Sequence, residues 1–174
     1  MDILSKTMKL IILDKDGTLT TPKSGKNFVQ KPEDQILLPG VLDAVRWHTL
    51  QGHMLIIASN QGGVSAGYKT IAEVILEMKY CLHLLRGIQS AYFCPDFEGN
   101  QCWHVERQSS SQVEVLRFRG RMRKPGDGMI QQALLDHPCV SEILFIGDRP
   151  EDEQAAQAAG VDFQDAESWR QPRE

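Results

Sequence analysis

Four near-continuous apolar runs constrain this chain more than any other feature: KLIILD at 9–14, HMLIIAS at 53–59, SAYFC at 90–94 and EILFIGD at 142–148. Runs with so little polar alternation suit strands covered on both faces, as a parallel sheet requires. The intervals between them carry helical periodicity. GVLDAVRWHTLQ sets Val41, Leu42, Val45 and Leu50 toward one side, and YKTIAEVILEMKYCLHLL repeats Ile71, Val74, Ile75, Met78 and Leu82 at three- and four-residue steps. GMIQQALLDH and PEDEQAAQAAG read as two further helices, the second closed by Gly160 as a C-cap, and VDF at 161–163 as a last short strand. Strands alternating with helices mean right-handed crossovers, so the fold class is α/β, a doubly wound parallel sheet. At 174 residues the chain is expected to form a single domain, 1–174.

In such sheets ligands sit beyond the carboxyl ends of the strands, and the polar residues fall there. Asp14 and Asp16 follow the first run, Ser59 and Asn60 end the second, and Gly147 and Asp148 end the fourth. Lys124, before Pro125 and Gly126, opens the helix that precedes the fourth run. Two aspartates one residue apart at a strand end repel each other, a cost that a cation or a chemical task must offset. Asp14, Asp16 and Asp148 are hard oxygen donors with no soft ligand among them, which suits partly hydrated Mg²⁺. The Ser59 hydroxyl, the backbone N–H groups of SNQGG and the Lys124 ammonium are donors without matching acceptors in the set, which suits a phosphoryl group.

Composition narrows the setting. No apolar stretch approaches the roughly 20 residues needed to span a bilayer, so the chain reads as soluble, cytoplasmic and without a membrane partner. A net charge of −4 argues against a protein that coats nucleic acid, although RFRGRMRK, from Arg117 to Lys124, is a local basic patch that reads either as a solvated loop or as a phosphate-facing rim. Cys81, Cys94, Cys102 and Cys139 have no secretory context and are expected to be reduced.

The segments DKDGTLT, SNQGG, RKPGDGM and GDRPED, in that order and at the expected strand ends, closely resemble the haloacid dehalogenase (HAD) superfamily of phosphohydrolases, from about Lys9 to Gly160. The resemblance implies a HAD-like Rossmannoid fold in which Asp14 attacks phosphorus to form an aspartyl-phosphate and Asp16 acts as general acid and then base. It also implies that Ser59, Asn60 and Lys124 hold the phosphoryl group. The metal would rest on Asp14, Asp16 (through its backbone carbonyl) and Asp148, with Asp152 orienting Lys124 or a metal-bound water. Thr18 is expected to bond the turn after Gly17. An inactive phosphate-binding module is the rival from another class; it predicts a damaged motif, and none of the four is damaged.

The intervals Asp16–Ser59 and Ser59–Lys124 leave no room for a large cap domain, so the chain looks like the capless branch, which includes heptose bisphosphate phosphatase, histidinol-phosphate phosphatase and the phosphatase domain of polynucleotide kinase. Two substrate classes remain open. Lys15 suits the metabolite phosphatases, which points to a small sugar or metabolite phosphate. TTPKSGKNF, residues 20–28, resembles a loop of the polynucleotide kinase phosphatases, which with the basic patch points to a DNA 3′-phosphate end. YFCPDFEGNQCWH resembles a loop that binds structural zinc in the metabolite enzymes; Cys94, Asp96, Cys102 and His104 would be the ligands, although GRM stands where the family has Cys-x-Cys, and a metal-free loop with a buried Cys94 is the alternative. Trp47 reads as core, and Trp103 and Trp169 as candidate stacking surfaces, Trp103 the better placed for substrate. Oligomeric state has no signature in the sequence.

Overall fold

The structure is a computed structural model and describes residues 7–172. The first apolar run forms β1 (Lys9–Leu13), and a short hairpin follows, β2 (Thr20–Pro22) with β3 (Gln35–Leu37). Next come α1 (Val41–Leu50), β4 (Met54–Asn60), α2 (Ile71–Leu84) and β5 (Ile88–Cys94). The segment after β5 contributes β6 (Trp103–Val105) and β7 (Ser110–Gln112) before α3 (Gly128–Asp136). The chain ends with β8 (Glu142–Gly147), α4 (Pro150–Ala159), β9 (Asp162–Asp165) and α5 (Ala166–Trp169).

Seven strands make one sheet in the order β7-β6-β5-β4-β1-β8-β9. Strands β5, β4, β1, β8 and β9 are mutually parallel, and β1 is central, pairing Leu10–Leu13 with Met54–Ile57 on one side and Lys9–Leu13 with Glu142–Ile146 on the other. The chain winds from β1 toward β5 in one direction and returns through β8 to β9 in the other. The crevice at the carboxyl end of β1 is therefore the topological switch point, where such sheets hold ligands. Period-two side chains divide the core between two faces. Ile11, Leu13, Leu55 and Ile57 pack with α1, α2 and α5, whereas Leu10, Ile12, Ile56 and Phe145 pack with α3 and α4. Each such apolar side chain contributes roughly 1.5–3 kcal/mol on burial.

Several expectations need correction. The sheet is mixed: β6 and β7 add antiparallel to β5, pairing Ala91 with Val105 and Phe93 with Trp103. These strands are three residues long and lack apolar periodicity, so their pairing comes from the open edge of β5 rather than from their own pattern. On α1 the buried positions are Val41, Ala44, Val45 and His48, while Leu42 and Leu50 face solvent; Leu50 lies nine residues after Val41, half a turn out of phase. Trp47 is 38% exposed and belongs to the surface. The face expected of α2 is the buried one, and its N-terminus is closed by Thr70, whose hydroxyl accepts the Glu73 N–H while the Glu73 carboxylate accepts the Thr70 N–H. Gly160 caps α4 as anticipated.

Candidate active site

After β1 the backbone folds into a turn in which the N–H groups of Thr18, Leu19 and Thr20 all donate to the Lys15 carbonyl. Gly17 takes φ +87° there, and a Cβ at this position would run into the Asp148 carboxylate. Only glycine lets the two pass so closely. The turn presents Asp14, 6% exposed, and Asp16 at the end of the sheet. The Thr18 hydroxyl lies 3.2 Å from Asp148 Oδ1 and 3.4 Å from Asp14 Oδ2, tying the first loop to the last.

Lys124, 3% exposed, reaches into the same point. Its Nζ donates to Asp14 Oδ1 and to Asp152 Oδ1, each at 2.6 Å. The other oxygen of Asp152 accepts the N–H groups of Asp148 and Arg149 at 3.2 and 3.1 Å, so Asp152 orients Lys124 and braces the start of α4 at once. Burial opposes the Lys124 charge, but Asp14 and Asp152 together hold the ammonium above its ordinary range. For Asp14 burial wins: against the pull of Lys124, and with Asp152 and Asp16 adding repulsion, its carboxyl is pushed up to about 7. Asp16 behaves differently. Burial raises it, but Lys15 and then Gln61 hold it below its ordinary value. Lys15 Nζ meets Asp16 Oδ1 at 2.6 Å, and Gln61 Nε2 donates to Asp16 Oδ2 at 2.8 Å and to Ser59 Oγ at 2.9 Å.

Asp14, Asp16, Ser59, Asn60, Lys124 and Asp152 thus line one cavity of about 820 Å³. Asn60 is there, yet its side chain is engaged with the backbone of Lys124, accepting from its N at 3.0 Å and donating to its O at 2.9 Å; it positions the lysine rather than offering a free donor. Gln61 and Lys15 bind the second aspartate directly. Lys15 was legible in the sequence only as a hint about substrate class, and Gln61 only as part of SNQGG, neither as a partner of Asp16. Asp34 carried no such signal; its carboxylate accepts from Ser24 N (2.6 Å), Ser24 Oγ (2.9 Å) and Gln30 N (3.0 Å), pinning the loop that carries Phe28.

Acidic oxygens of Asp14, Asp148 and Asp152 come within 4.8 Å of one another, the one grouping among the described residues that could hold a metal ion. All three are hard donors, and a buried carboxyl raised to about 7 beside two other acids is where a divalent cation has most to neutralise. The residues fit Mg²⁺.

Zinc is not supported. Cys94 Sγ contacts the Asp96 carbonyl and Oδ1, both at 3.3 Å, and the Asp96 carboxylate accepts Asn100 N and Gln101 N. His104 lies against the Tyr92 ring, centroids 4.6 Å apart. Burial pushes the Cys94 thiol up to about 12, and burial likewise raises Cys102, the opposite of what a thiolate ligand needs. The Gly120 and Met122 N–H groups donate to the Gly99 carbonyl, joining by hydrogen bonds the two segments that the resemblance would join by metal. The basic patch also divides. Arg123 and Lys124 line the cavity, whereas Arg121 is paired bidentately with Asp127 and Arg117 lies over Phe118. Trp103 packs against the core on β6, and Trp169 is fully buried with its Nε1 donating to His48 Nε2 at 2.9 Å, so neither tryptophan lines the cavity.

Residues 9–169 match the family described as polynucleotide kinase 3 phosphatase. This chain belongs to that family of HAD-like phosphatases. The phosphatase is also 30% identical over 159 residues, 88% of its length and 74% of the relative's, to D-glycero-β-D-manno-heptose-1,7-bisphosphate 7-phosphatase of Neisseria meningitidis. It is 28% identical over 163 residues, 91% of its length and 78% of the relative's, to the enzyme of the same name from Escherichia coli. Among solved structures, D,D-heptose 1,7-bisphosphate phosphatase from B. bronchiseptica, complexed with magnesium and phosphate, superposes with a TM-score of 0.68 at 25% identity, covering 90% of this phosphatase and 79% of that chain. The HAD-like α/β fold and the phosphatase class follow from these matches together. Among the described residues, no helix is long and apolar enough to cross a membrane.

Proposed function

We propose that this phosphatase hydrolyses a sugar-phosphate monoester in a Mg²⁺-dependent reaction through an aspartyl-phosphate on Asp14. The observation that carries the reading is the buried Lys124–Asp14 contact at the switch point, a nucleophile-sized carboxylate and a fixed cation sharing one small space. The names of the relatives favour the sugar.

Mg²⁺ would rest on Asp14 and Asp148, with the Asp16 carbonyl, since the Asp16 side chain is turned to Lys15 and Gln61 and Asp152 is engaged with Lys124. Bound there, it would supply positive charge that keeps Asp14 ionised and offsets the phosphoryl dianion. In the first step an Asp14 oxygen forms a bond to phosphorus as the ester oxygen leaves. Lys124 and the Ser59 hydroxyl hold the equatorial oxygens, acting where charge shifts in the transition state. Asp16 donates a proton to the departing oxygen; an incoming dianion beside it raises its proton affinity and so opposes the pull of Lys15. In the second step Asp16, now a carboxylate, takes a proton from the water that attacks phosphorus, and Asp14 is released.

A second reading, a DNA 3′-phosphatase, has its own observation. Phe28, Tyr68 and Phe97 are 66, 80 and 54% exposed, yet all three line the cavity, and Arg123 lies 5.3 Å over the Phe97 ring. Such a rim accepts a base as readily as a sugar face.

Phosphate release with Mg²⁺ from heptose bisphosphate, histidinol phosphate, nucleotides and a 3′-phosphorylated oligonucleotide separates the readings. Preference for a sugar ester supports the first, and preference for the oligonucleotide, with steep salt dependence, replaces it with the second. Asp14→Asn should abolish release from every substrate while leaving the fold intact, because Lys124 keeps Asp152 as its partner; retained turnover would remove the nucleophile.

A further inference from the structure

We infer that Arg170 is a positioning residue: from the far end of the chain it holds the turn that carries Asp16 and Thr18. Its Nη1 donates to the carbonyls of Thr18 at 3.0 Å and Gly17 at 3.3 Å. The turn directs three N–H groups inward to one carbonyl, that of Lys15. Arg170 grips the other side of it, and hydrogen bonds from a charged donor are about twice as strong as neutral ones.

The anchor for this arm is rigid. Trp169, the residue before it, is fully buried and bonded to His48, and Ala166 at the start of α5 is buried as well. The Arg170 N–H donates to the Ala166 carbonyl, and the Arg170 carbonyl lies so close to Gly40 that a Cβ there would collide with it. Gly40 takes φ +82°, a conformation that glycine adopts without strain. With its backbone held from both sides, Arg170 projects a fixed guanidinium onto the turn. The Thr18 hydroxyl on the same turn spans Asp14 and Asp148, and Gly17 passes against Asp148. Loss of the brace would loosen the spacing of all three aspartates without touching any of them.

The consequence for catalysis rests on the proposed roles of Asp14 and Asp16; the brace itself does not. Arg170→Ala and Arg170→Lys in the full chain test both parts. Hydrogen exchange in Arg170→Ala should speed up about tenfold across residues 14–20, as expected for one lost charge-assisted bond, while the peptide covering β4 keeps its protection. With p-nitrophenyl phosphate and Mg²⁺, kcat should fall about tenfold with KM nearly unchanged, and millimolar guanidinium or the lysine variant should restore part of it. Unchanged exchange in 14–20, or faster exchange throughout the chain in step with lost stability, would overturn the brace. Faster exchange in 14–20 with an unchanged kcat would overturn its catalytic consequence. If the unaltered protein hydrolyses no phosphomonoester, the functional reading fails, and the exchange data still decide whether Arg170 holds the turn.

Discussion

The Lys124 ammonium meets Asp14 Oδ1 at 2.6 Å, and both groups are almost wholly withdrawn from water. Neither charge is tolerable there alone. Lys124→Met would leave Asp14 and Asp152 facing each other with no cation between them, so one of them must take up a proton or water must enter. The expected outcome is a loss of about 3 kcal/mol in urea denaturation together with a fall of about 10³-fold in kcat. A stable variant with lost kcat would mean that the lysine serves the reaction without holding the fold.

Gly17→Ala introduces a methyl group where the Asp148 carboxylate now lies and forces alanine to φ +87°. Strain of this kind costs about 1–3 kcal/mol. The Mg²⁺ concentration needed for half-maximal phosphate release should rise, because Asp148 must move to make room. An unchanged requirement would separate Asp148 from the metal.

Native thiol titration reports on the Cys94–His104 loop. Cys139 is exposed, whereas Cys81, Cys94 and Cys102 are buried, so a thiol reagent should modify one cysteine per native chain and all four after unfolding. A chelator should leave the native count at one. A rise on chelation would make these cysteines metal ligands after all.

Burial holds His104 below its ordinary value of 6.5, with Glu106 and Asp136 pulling the other way and His137 adding to the depression. The folded state therefore binds the proton less readily than the unfolded chain. The stability linked to this residue is complete above pH 6.5 and declines as the pH falls from there through the depressed value. His104→Gln should flatten the acid side of the urea-midpoint profile between pH 7 and 5; an unchanged slope would assign it to other groups.

Much of this molecule is legible in short windows of sequence. Uninterrupted runs such as KLIILD and EILFIGD carry their burial in every residue, and the capping Thr70 and closing Gly160 are signals read within one turn of helix. The meeting of Asp14, Ser59, Lys124 and Asp152 could be anticipated because sheet topology brings the carboxyl ends of parallel strands to one edge. The zinc loop shows where resemblance ran past the residues. With GRM in place of Cys-x-Cys, Asp96 and the Gly99 carbonyl close the segment by hydrogen bonds.

Hydrophobic periodicity and strand-end chemistry, both local properties of the chain, determined the sheet, the layers and the edge where the site lies. Tertiary structure alone decided the partners within that edge. Asn60 turned to the Lys124 backbone, Gln61 to Asp16, Arg170 to the turn at Gly17, and β6 to the open side of β5. These contacts join residues far apart in sequence, or side chains with several donors to spend. Which partner each one takes depends on distances set only when the helices have packed on both faces of the sheet.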